Sequence, residues 1–458
     1  MTKLLYLSLL KIFTSLFFLC LNLKAKPNLI FIMADDLGYG DLGCFGQKLI
    51  KTPRLDQMAK EGMKFTRFYS GSTVCAPSRS VLMTGQHMGH THVRGNAGGD
   101  MLRQSLRDID VTVAEKMKSA GYATALIGKW GLGEEGQEGH PLKQGFDYFY
   151  GYLNQVHAHN FYPEFLWRNN KKHILNNVVK PISEKARAGF IGGAATERND
   201  YSHDLFTQEA LAWIKKNKNN PFFLYLPLTI PHANNEGTRM FGDGAEVPEY
   251  GIYEKENWPK QDKGQAAMIT RMDRDVGEIL DLLKELKLAE NTLVMFTSDN
   301  GPHNEAGHNP ELFTPAGPLR GMKRSLTEGG IRVPTLAWWP KTIDKGSISD
   351  EAFYFGDLMA TACEMAGTEI PKKNDSVSFF PTLKNVSDNQ KSHKYLYWEF
   401  YERTFRQAVI MKDWKLIRSA MDNERLELYD LKNDIHEDEN LVKVHPAIVQ
   451  RMISYMEE

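Results

Sequence analysis

A short apolar run near the start of the chain, residues 27–34, most constrains the fold. It reads Pro-Asn-Leu-Ile-Phe-Ile-Met-Ala and shows no alternation with polar residues. Such a strand is buried on both faces, as in a parallel sheet that helices cover. Similar runs return at residues 122–127, 221–228 and 291–297, with helical patterns between them. The alternation predicts an α/β fold with a large, mostly parallel sheet flanked by helices.

Beyond about residue 346 the pattern changes. One predicted helix, at residues 357–366, precedes a series of short alternating segments. These segments lie at residues 395–400, 407–411, 414–418 and 427–430. They predict a small antiparallel sheet. We therefore divide the chain into a larger domain at residues 26–345 and a C-terminal subdomain at residues 346–458.

Residues 1–25 have the features of a secretory signal peptide. Lys3 and Lys11 flank an apolar run, and Ala25 suits the last position before cleavage. A retained N-terminal anchor is the alternative, although the run is short for a membrane span. A lipoprotein signal at Cys20 fits less well, because the preceding residue is the bulky Leu19. We expect export to the periplasm or the medium and no stable membrane span.

Composition and cysteine content exclude several classes of protein. The formal net charge of −1 provides no general basic field for nucleic acid. Export would leave Cys44, Cys75 and Cys363, which are too few for a disulfide framework. A pairing of Cys44 with Cys363 stays open, but we expect each to be buried singly.

Residues 75–79, Cys-Ala-Pro-Ser-Arg, predict the start of a helix with a thiol at its N-terminus. Free amide N–H groups and the positive end of the helix dipole would then face any group that contacts Cys75. Arg79 would lie one turn along, on the same side. The alternative is a small buried cysteine at an ordinary helix start.

Polar residues follow several of the predicted strands. Asp35 and Asp36 come after the first run, and Asp299 and Asn300 come after a later one. Because the carboxyl ends of parallel strands share one edge of a sheet, these side chains can converge. Three carboxylates and an amide oxygen form a hard site suited to Ca²⁺ or Mg²⁺.

Four further residues would supply positive charge and hydrogen-bond donors to the same edge. They are Arg79, Lys129, His232 and Lys323. Such groups bind a tetrahedral anion, so the combination suits hydrolysis of a sulfate or phosphate ester with the metal as Lewis acid.

At this point the chain resembles a known family. The pattern Cys-x-Pro-Ser-Arg-x-x-Leu-x-Thr-Gly at residues 75–85 is similar to the signature of the type I, formylglycine-dependent arylsulfatases. Gly-Lys-Trp at residues 128–130 resembles their second signature. The resemblance extends from about residue 28 to residue 431. It implies an alkaline-phosphatase-like α/β domain with a smaller C-terminal subdomain.

The resemblance also implies a cofactor, a modification and a mechanism. A formylglycine-generating or anaerobic sulfatase-maturing enzyme would oxidise Cys75 to formylglycine (3-oxoalanine). Its aldehyde hydrate would attack sulfur, form a covalent sulfate ester and later eliminate sulfate. Arg79 would hold the hydrate, and Lys129, His232 and Lys323 would bind the sulfate oxygens. Either His232 or Lys323 would protonate the leaving alcohol. One Ca²⁺ ion would be bound by Asp35, Asp36, Asp299, Asn300 and residue 75.

The second signature departs from the family pattern at one position. The family reads Gly-Lys-Trp-His-Leu-Gly, whereas Gly131 stands here in place of the histidine. That histidine is commonly assigned as the base in sulfate release. Our hypothesis is that His140 returns from the following loop to replace it.

Residues 134–197 are rich in glycine, histidine and aromatic residues, and they predict long loops. Aromatic side chains with polar neighbours suit the stacking of sugars, so His157 and His159 are candidates for substrate binding. We expect a sulfated poly- or oligosaccharide as substrate. A phosphonate or phosphodiester hydrolase on the same scaffold is one alternative. A non-catalytic glycan-binding protein, which would keep Cys75 as a thiol, is the other.

Overall fold

The computed structural model describes residues 26–96, 104–183, 185, 190–402, 404–419 and 425–458. The predicted signal peptide at residues 1–25 lies outside the described residues. Within the described ranges, none of the helices combines the length and the apolar character needed to cross a membrane.

Helices and strands alternate along most of the described chain. The strands are β1 (Asn28–Ala34), β2 (Met63–Phe65), β3 (Phe68–Tyr69), β4 (Ala123–Lys129), β5 (Tyr148–Tyr152), β6 (Phe165–Arg168), β7 (Lys171–Ile174), β8 (Val178–Pro181), β9 (Gly193–Glu197), β10 (Phe222–Pro227), β11 (Thr292–Ser298), β12 (Thr335–Trp338), β13 (Ser347–Ser349), β14 (Phe353–Tyr354), β15 (Leu396–Phe400), β16 (Arg406–Met411), β17 (Trp414–Ser419) and β18 (Arg425–Asp430). The helices are α1 (Pro53–Glu61), α2 (Cys75–Thr84), α3 (Val113–Ser119), α4 (Ser202–Asn217), α5 (Asn235–Phe241), α6 (Lys260–Glu285), α7 (Pro310–Phe313), α8 (Glu328–Ile331), α9 (Asp357–Ala366), α10 (Phe380–Leu383) and α11 (Pro446–Glu457).

A sheet of ten strands forms the centre of the protein, in the order β13-β2-β12-β11-β1-β10-β4-β5-β6-β7. The five strands from β11 to β5 are mutually parallel. Strands β12 and β6 run antiparallel to their inner neighbours. The predicted fold class, a large and mostly parallel sheet, is confirmed.

Helices cover both faces of this sheet. Along β1, Leu29, Phe31 and Met33 enter one apolar core, which includes residues of α2, α3 and α9. The intervening residues Ile30 and Ile32 enter a second core, which includes residues of α1, α4 and α6. Burial on both faces explains why β1 has no polar alternation. The two cores fix the strand ends, where the polar residues lie.

The C-terminal part of the chain forms the predicted antiparallel sheet, β15-β16-β17-β18. Its apolar side chains join the same core as α2, and the indole nitrogen of Trp398 donates a hydrogen bond to the Ser70 carbonyl at 2.9 Å. Residues just beyond 345 still belong to the central sheet, because β13 pairs with β2. The boundary at residue 345 remains a prediction.

Residues 134–197 contain more regular structure than the long loops that we predicted. Strand β5 pairs in parallel with β4 and is buried, and β6 and β7 extend the sheet beyond it. The sequence of β5, Tyr-Phe-Tyr-Gly-Tyr, hides an ordinary buried strand behind aromatic residues and a glycine. Gly151 is needed there, since a Cβ at this position would lie 1.9 Å from the carbonyl oxygen of Gly128.

Candidate active site

Cys75 is the first residue of α2, as predicted, and it lies at the carboxyl edge of the central sheet. Its side chain is buried, and Sγ lies 3.4 Å from Oδ1 of Asp35. Burial raises the pKa of the Cys75 thiol well above its usual range, and the charge of Asp35 adds to the effect. The residue as encoded is therefore a protonated thiol, which is a weak nucleophile and a poor ligand for a hard cation.

The oxygen ligands predicted from the strand ends come together beside Cys75. Asp35 and Asp36 follow β1, and Asp299 and Asn300 follow the neighbouring β11. The backbone N–H of Asp36 donates to Oδ1 of Asp299 at 3.1 Å, and Nδ2 of Asn300 donates to Oδ1 of Asp36 at 2.7 Å. Asp36 has a positive φ of 65°, which turns its backbone sharply at the end of the strand.

Three buried cations pair with these carboxylates. A guanidinium nitrogen of Arg79 lies 2.7 Å from Asp299 and 3.3 Å from Asp35. Nζ of Lys129 lies 2.6 Å from Asp35. Nζ of Lys323 lies 2.6 Å from Asp36. Since all of these side chains are almost completely shielded from water, each charge depends on its partners rather than on solvent.

The surroundings of Asp35 and Asp299 shift the pKa values of these two carboxyls in opposite directions. Burial alone would raise the pKa of Asp35, but the positive charges of Lys129 and Arg79 hold it well below its usual range. Burial and the neighbouring charge of Asp35 raise the pKa of Asp299 well above its usual range. The neighbouring cations therefore favour the ionised form of Asp35, and a further cation beside Asp299 would favour the ionised form of that carboxyl as well.

His232 contacts the cluster through one ring nitrogen. Nδ1 lies 2.7 Å from the carbonyl oxygen of Ala233, and Nε2 lies 3.1 Å from Nζ of Lys323 and 3.4 Å from Asp36. Burial, followed by the charge of Lys323, lowers the pKa of His232 well below its usual range. The imidazole is thus neutral, with Nδ1 as donor to the carbonyl and Nε2 as acceptor from the lysine.

The residues of this cluster fit a hard divalent cation. Oδ1 of Asn300 is buried and has no hydrogen-bond partner within the described part of the chain, although its amide nitrogen is bonded. Asp35, Asp36, Cys75 and His232 each offer a ligand atom, and these atoms all lie within 4.8 Å of one another. An unsatisfied buried oxygen beside three carboxylates is what an oxygen-preferring ion such as Ca²⁺ would satisfy.

The structure does not bring every predicted residue into the cluster. Nδ1 of His140 accepts from the N–H of Leu142, and its ring packs edge-on against Phe149. None of these contacts is with the cluster, so the role of His140 in sulfate release stays a prediction. The ring of His157 is buried against Phe165 and Phe190, and burial lowers its pKa to about 3. Such a position does not support direct contact between His157 and a substrate.

His159 lies beside the cluster, as a substrate-binding residue would. Its ring stacks on the ring of His232 with centroids 5.1 Å apart, and its Nδ1 lies 2.9 Å from Oε2 of Glu236. Sequence reasoning missed Glu236, because it lies in α5 without any recognisable motif.

Two further residues that support the site were also missed. Oγ of Ser78 donates to the backbone carbonyl of Asp299 at 2.6 Å, which ties α2 to the end of β11. Glu305 lies close to Lys323, and despite its burial the charge of that lysine lowers the pKa of Glu305 to about 2. Ser78 belongs to the quoted signature and could have been assigned a role, whereas Glu305 carries no such signal.

Comparison with known proteins agrees with this geometry. A family model described as Sulfatase matches residues 27–368, and a second, described as N-sulphoglucosamine sulphohydrolase, C-terminal, matches residues 322–458. The N-acetylgalactosamine-6-sulfatase of Homo sapiens is 32% identical over 375 residues, which cover 78% of this chain and 66% of the human protein. This chain thus spans about two thirds of the length of that relative. The N-acetylgalactosamine-6-O-sulfatase of Bacteroides thetaiotaomicron is 29% identical over 500 residues, covering 94% of this chain and 93% of the relative.

Solved structures extend the similarity to almost the whole fold. A 6S-sulfatase from a study of glycosaminoglycan metabolism by Bacteroides thetaiotaomicron has a TM-score of 0.74 and 28% identity, covering 95% of this chain and 99% of that one. The structure of Ps i-CgsB in complex with k-i-k-neocarrahexaose has a TM-score of 0.75 and 28% identity, covering 94% of this chain and 92% of that one. From its signature, its fold and these relatives, the chain belongs to the type I sulfatase family of sulfuric ester hydrolases.

Proposed function

We propose that this protein hydrolyses sulfate esters of a carbohydrate, with residue 75 as the nucleophile. One observation carries the proposal: oxygen ligands and buried cations surround residue 75 at the carboxyl edge of the sheet. The oxygen ligands are Asp35, Asp299 and Asn300, and the cations that pair with the carboxylates are Arg79 and Lys129. The names of the relatives, which are sulfatases of N-acetylgalactosamine 6-sulfate, favour a sulfated amino sugar or galactose-type sugar.

We further propose that Cys75 acts after conversion to formylglycine and that the cluster binds Ca²⁺. The hydrated aldehyde would supply an oxygen nucleophile, and Ca²⁺ would polarise the sulfate as a Lewis acid. Two features support this: burial raises the pKa of the Cys75 thiol, and the oxygen-rich ligand set includes the unsatisfied Oδ1 of Asn300.

The residues of the chain itself perform the remaining tasks. Arg79 bridges Asp299 and Asp35 and also donates to the Lys129 carbonyl at 2.6 Å, so it fixes the geometry around residue 75. Lys129 and Lys323 place two ammonium groups where the charge of a sulfate must be stabilised. The proton for the leaving sugar alcohol would come from Lys323, either directly or through His232, since Nζ of Lys323 lies 3.1 Å from Nε2 of His232.

A maturing enzyme and an export route complete the proposal. The reactive residue requires a formylglycine-generating or anaerobic sulfatase-maturing enzyme, because the chain is synthesised with Cys75. The lysine-flanked apolar run within residues 1–25 supports export to the periplasm or the medium. N-terminal sequencing of the native protein would show cleavage near Ala25 if this is right, and an intact N-terminus on exported enzyme would contradict it.

The release of inorganic sulfate from a panel of substrates tests the proposed function. The panel should contain 6-O-sulfated N-acetylgalactosamine, other sulfated sugars, a simple aryl sulfate and a phosphodiester. We expect sulfate release from at least one sulfated sugar, and none from the Cys75→Ala variant. Activity confined to aryl sulfates would contradict the carbohydrate substrate, and a faster phosphodiesterase reaction would contradict the sulfatase assignment.

A further inference from the structure

Gly131, where the chain departs from the family signature, lines a small cavity near residue 75. Gly131 follows the carboxyl end of β4, and its N–H donates to the carbonyl of Leu153 just beyond β5. Ala76, the neighbour of residue 75, forms part of the same cavity wall together with Gly131 and Gln155. The cavity measures about 20 Å³, which is the space of about one water molecule.

Gln155 occupies the space that a side chain at position 131 would need. A Cβ built on Gly131 would lie 2.4 Å from Nε2 of Gln155 and 2.9 Å from its Cδ. Gly131 also has a φ of +78°, a backbone conformation that residues with a Cβ atom disfavour. The position of the Gln155 side chain therefore requires glycine at position 131, because a side chain there would overlap Gln155.

The amide nitrogen of Gln155 is unsatisfied. Among the residues that the structure describes, Nε2 is shielded from solvent and has no hydrogen-bond partner. Its neighbours in the cavity wall differ in this respect. Oε1 of Gln137 accepts from the N–H of Glu134 at 2.9 Å, and Nδ2 of Asn154 donates to Oε1 of Glu134 at 2.6 Å. A buried donor without an acceptor is costly, so it indicates a missing acceptor.

We propose that Gln155 is a substrate-contacting residue whose amide N–H donates a hydrogen bond to an oxygen of the sulfate group. This inference rests on the proposed sulfatase function. An amide N–H can only donate and sulfate oxygens can only accept, so the two are complementary. The amide cannot take up a proton, so Gln155 binds the sulfate and does not replace the family histidine as a base.

Binding of sulfate to a full-length protein that lacks the nucleophile tests this inference. The Cys75→Ala variant provides the background, and calorimetry measures its affinity for inorganic sulfate and for a sulfated sugar that the active enzyme hydrolyses. Adding Gln155→Ala should weaken binding of both ligands about tenfold, the value for a hydrogen bond to a charged group. Gln155→Glu should weaken binding further, because a carboxylate repels sulfate and offers no donor in its ionised form.

Gln137→Ala is the matched control. It shortens a glutamine in the same cavity wall whose carbonyl oxygen is already bonded to the protein, so we expect affinities within about twofold of the background protein. Circular dichroism and melting curves on each variant establish that the fold is intact.

Three outcomes would overturn the inference. If Gln155→Ala binds both ligands as tightly as the background protein, the amide only fills space. If it weakens binding of the sulfated sugar but not of inorganic sulfate, the amide contacts the sugar and not the sulfate group. If the background protein binds neither ligand, the proposed function fails together with the role of Gln155, and the first two results leave that function standing.

Discussion

Removing the charge of Lys415 should destabilise the protein severely. Lys415 lies in β17 with no exposed surface, and its Nζ lies 2.9 Å from Glu328 and 3.1 Å from Glu437. Glu328 begins α8, five residues after Lys323 of the active site. The Lys415→Met variant keeps the aliphatic part of the side chain and deletes only the ammonium group. It therefore tests whether this buried ion cluster joins the C-terminal sheet to the loop that carries Lys323.

The magnitude follows from the charges that remain. Arg332 still pairs with Glu328 at 3.1 Å, but Glu437 loses its cation. A buried charge that loses its partner typically costs about 3–5 kcal/mol. Burial already raises the pKa of Glu437, and without Lys415 it would rise further. A carboxyl whose pKa is raised by folding destabilises the protein as pH rises, so the cost should change by up to about 1.4 kcal/mol per pH unit.

Urea unfolding followed by fluorescence measures this effect at pH 8 and pH 5. We expect the free energy of unfolding of Lys415→Met to fall by about 3–5 kcal/mol at pH 8 and by clearly less at pH 5. Adding Glu437→Gln should recover part of the loss at pH 8. The control is Lys394→Met, which removes an exposed ion pair with Glu458 and should cost less than about 1 kcal/mol. A Lys415→Met variant within 1 kcal/mol of the parent, or one equally affected at both pH values, would refute this reasoning.

Three other predictions concern the site and its surroundings. Chelating Ca²⁺ should abolish sulfate release, and added Ca²⁺ should restore it. Asn300→Ala should raise the Ca²⁺ concentration for half-maximal activity at least about tenfold. Activity that does not change on chelation would contradict the metal assignment. Lys323→Met should slow hydrolysis of a sugar sulfate about a hundredfold or more, and hydrolysis of nitrophenyl sulfate less. The reason is that the sugar alcohol is a poor leaving group and needs a proton, whereas nitrophenolate does not. Equal losses in kcat for the two substrates would argue against proton donation by Lys323. Burial raises the pKa of Asp41 to about 7 although it accepts from the N–H of Gly38, so Asp41→Asn should gain stability over the parent between pH 4 and pH 7, by about 4 kcal/mol at most. A pH-independent difference between the two proteins in urea unfolding would contradict this.

Much of the site was predictable because strand topology places distant residues together. Asp35 and Asp299 follow strands with plain apolar patterns and Lys129 is the last residue of another, and parallel strands end at one edge of the sheet. The start of α2 at Cys75 was predictable from its proline and from the glycine at its end. The α/β class followed from the same signals and did not depend on details of the loops.

Strand β5, the positions of the histidines and the contact between Gln155 and Gly131 depend on tertiary packing, which no sequence pattern indicates. Strand β5 was hidden because tyrosine and glycine interrupt the apolar pattern that identifies a buried strand. His140 and His157 looked like functional histidines, yet the rings of both pack against aromatic side chains. The relation of Gln155 to Gly131 joins the ends of two strands, and neither residue alone carries a signal for it.

The chemical state of residue 75 in active enzyme tests the central claim most directly. The protein should be purified from a host that contains a sulfatase-maturing enzyme, and the tryptic peptide ending at Arg79 should be analysed by mass spectrometry. We predict that this peptide carries an aldehyde in place of the Cys75 thiol, and that the converted fraction rises in proportion to sulfate release across preparations. Full sulfatase activity in protein whose Cys75 is entirely unmodified would contradict the account.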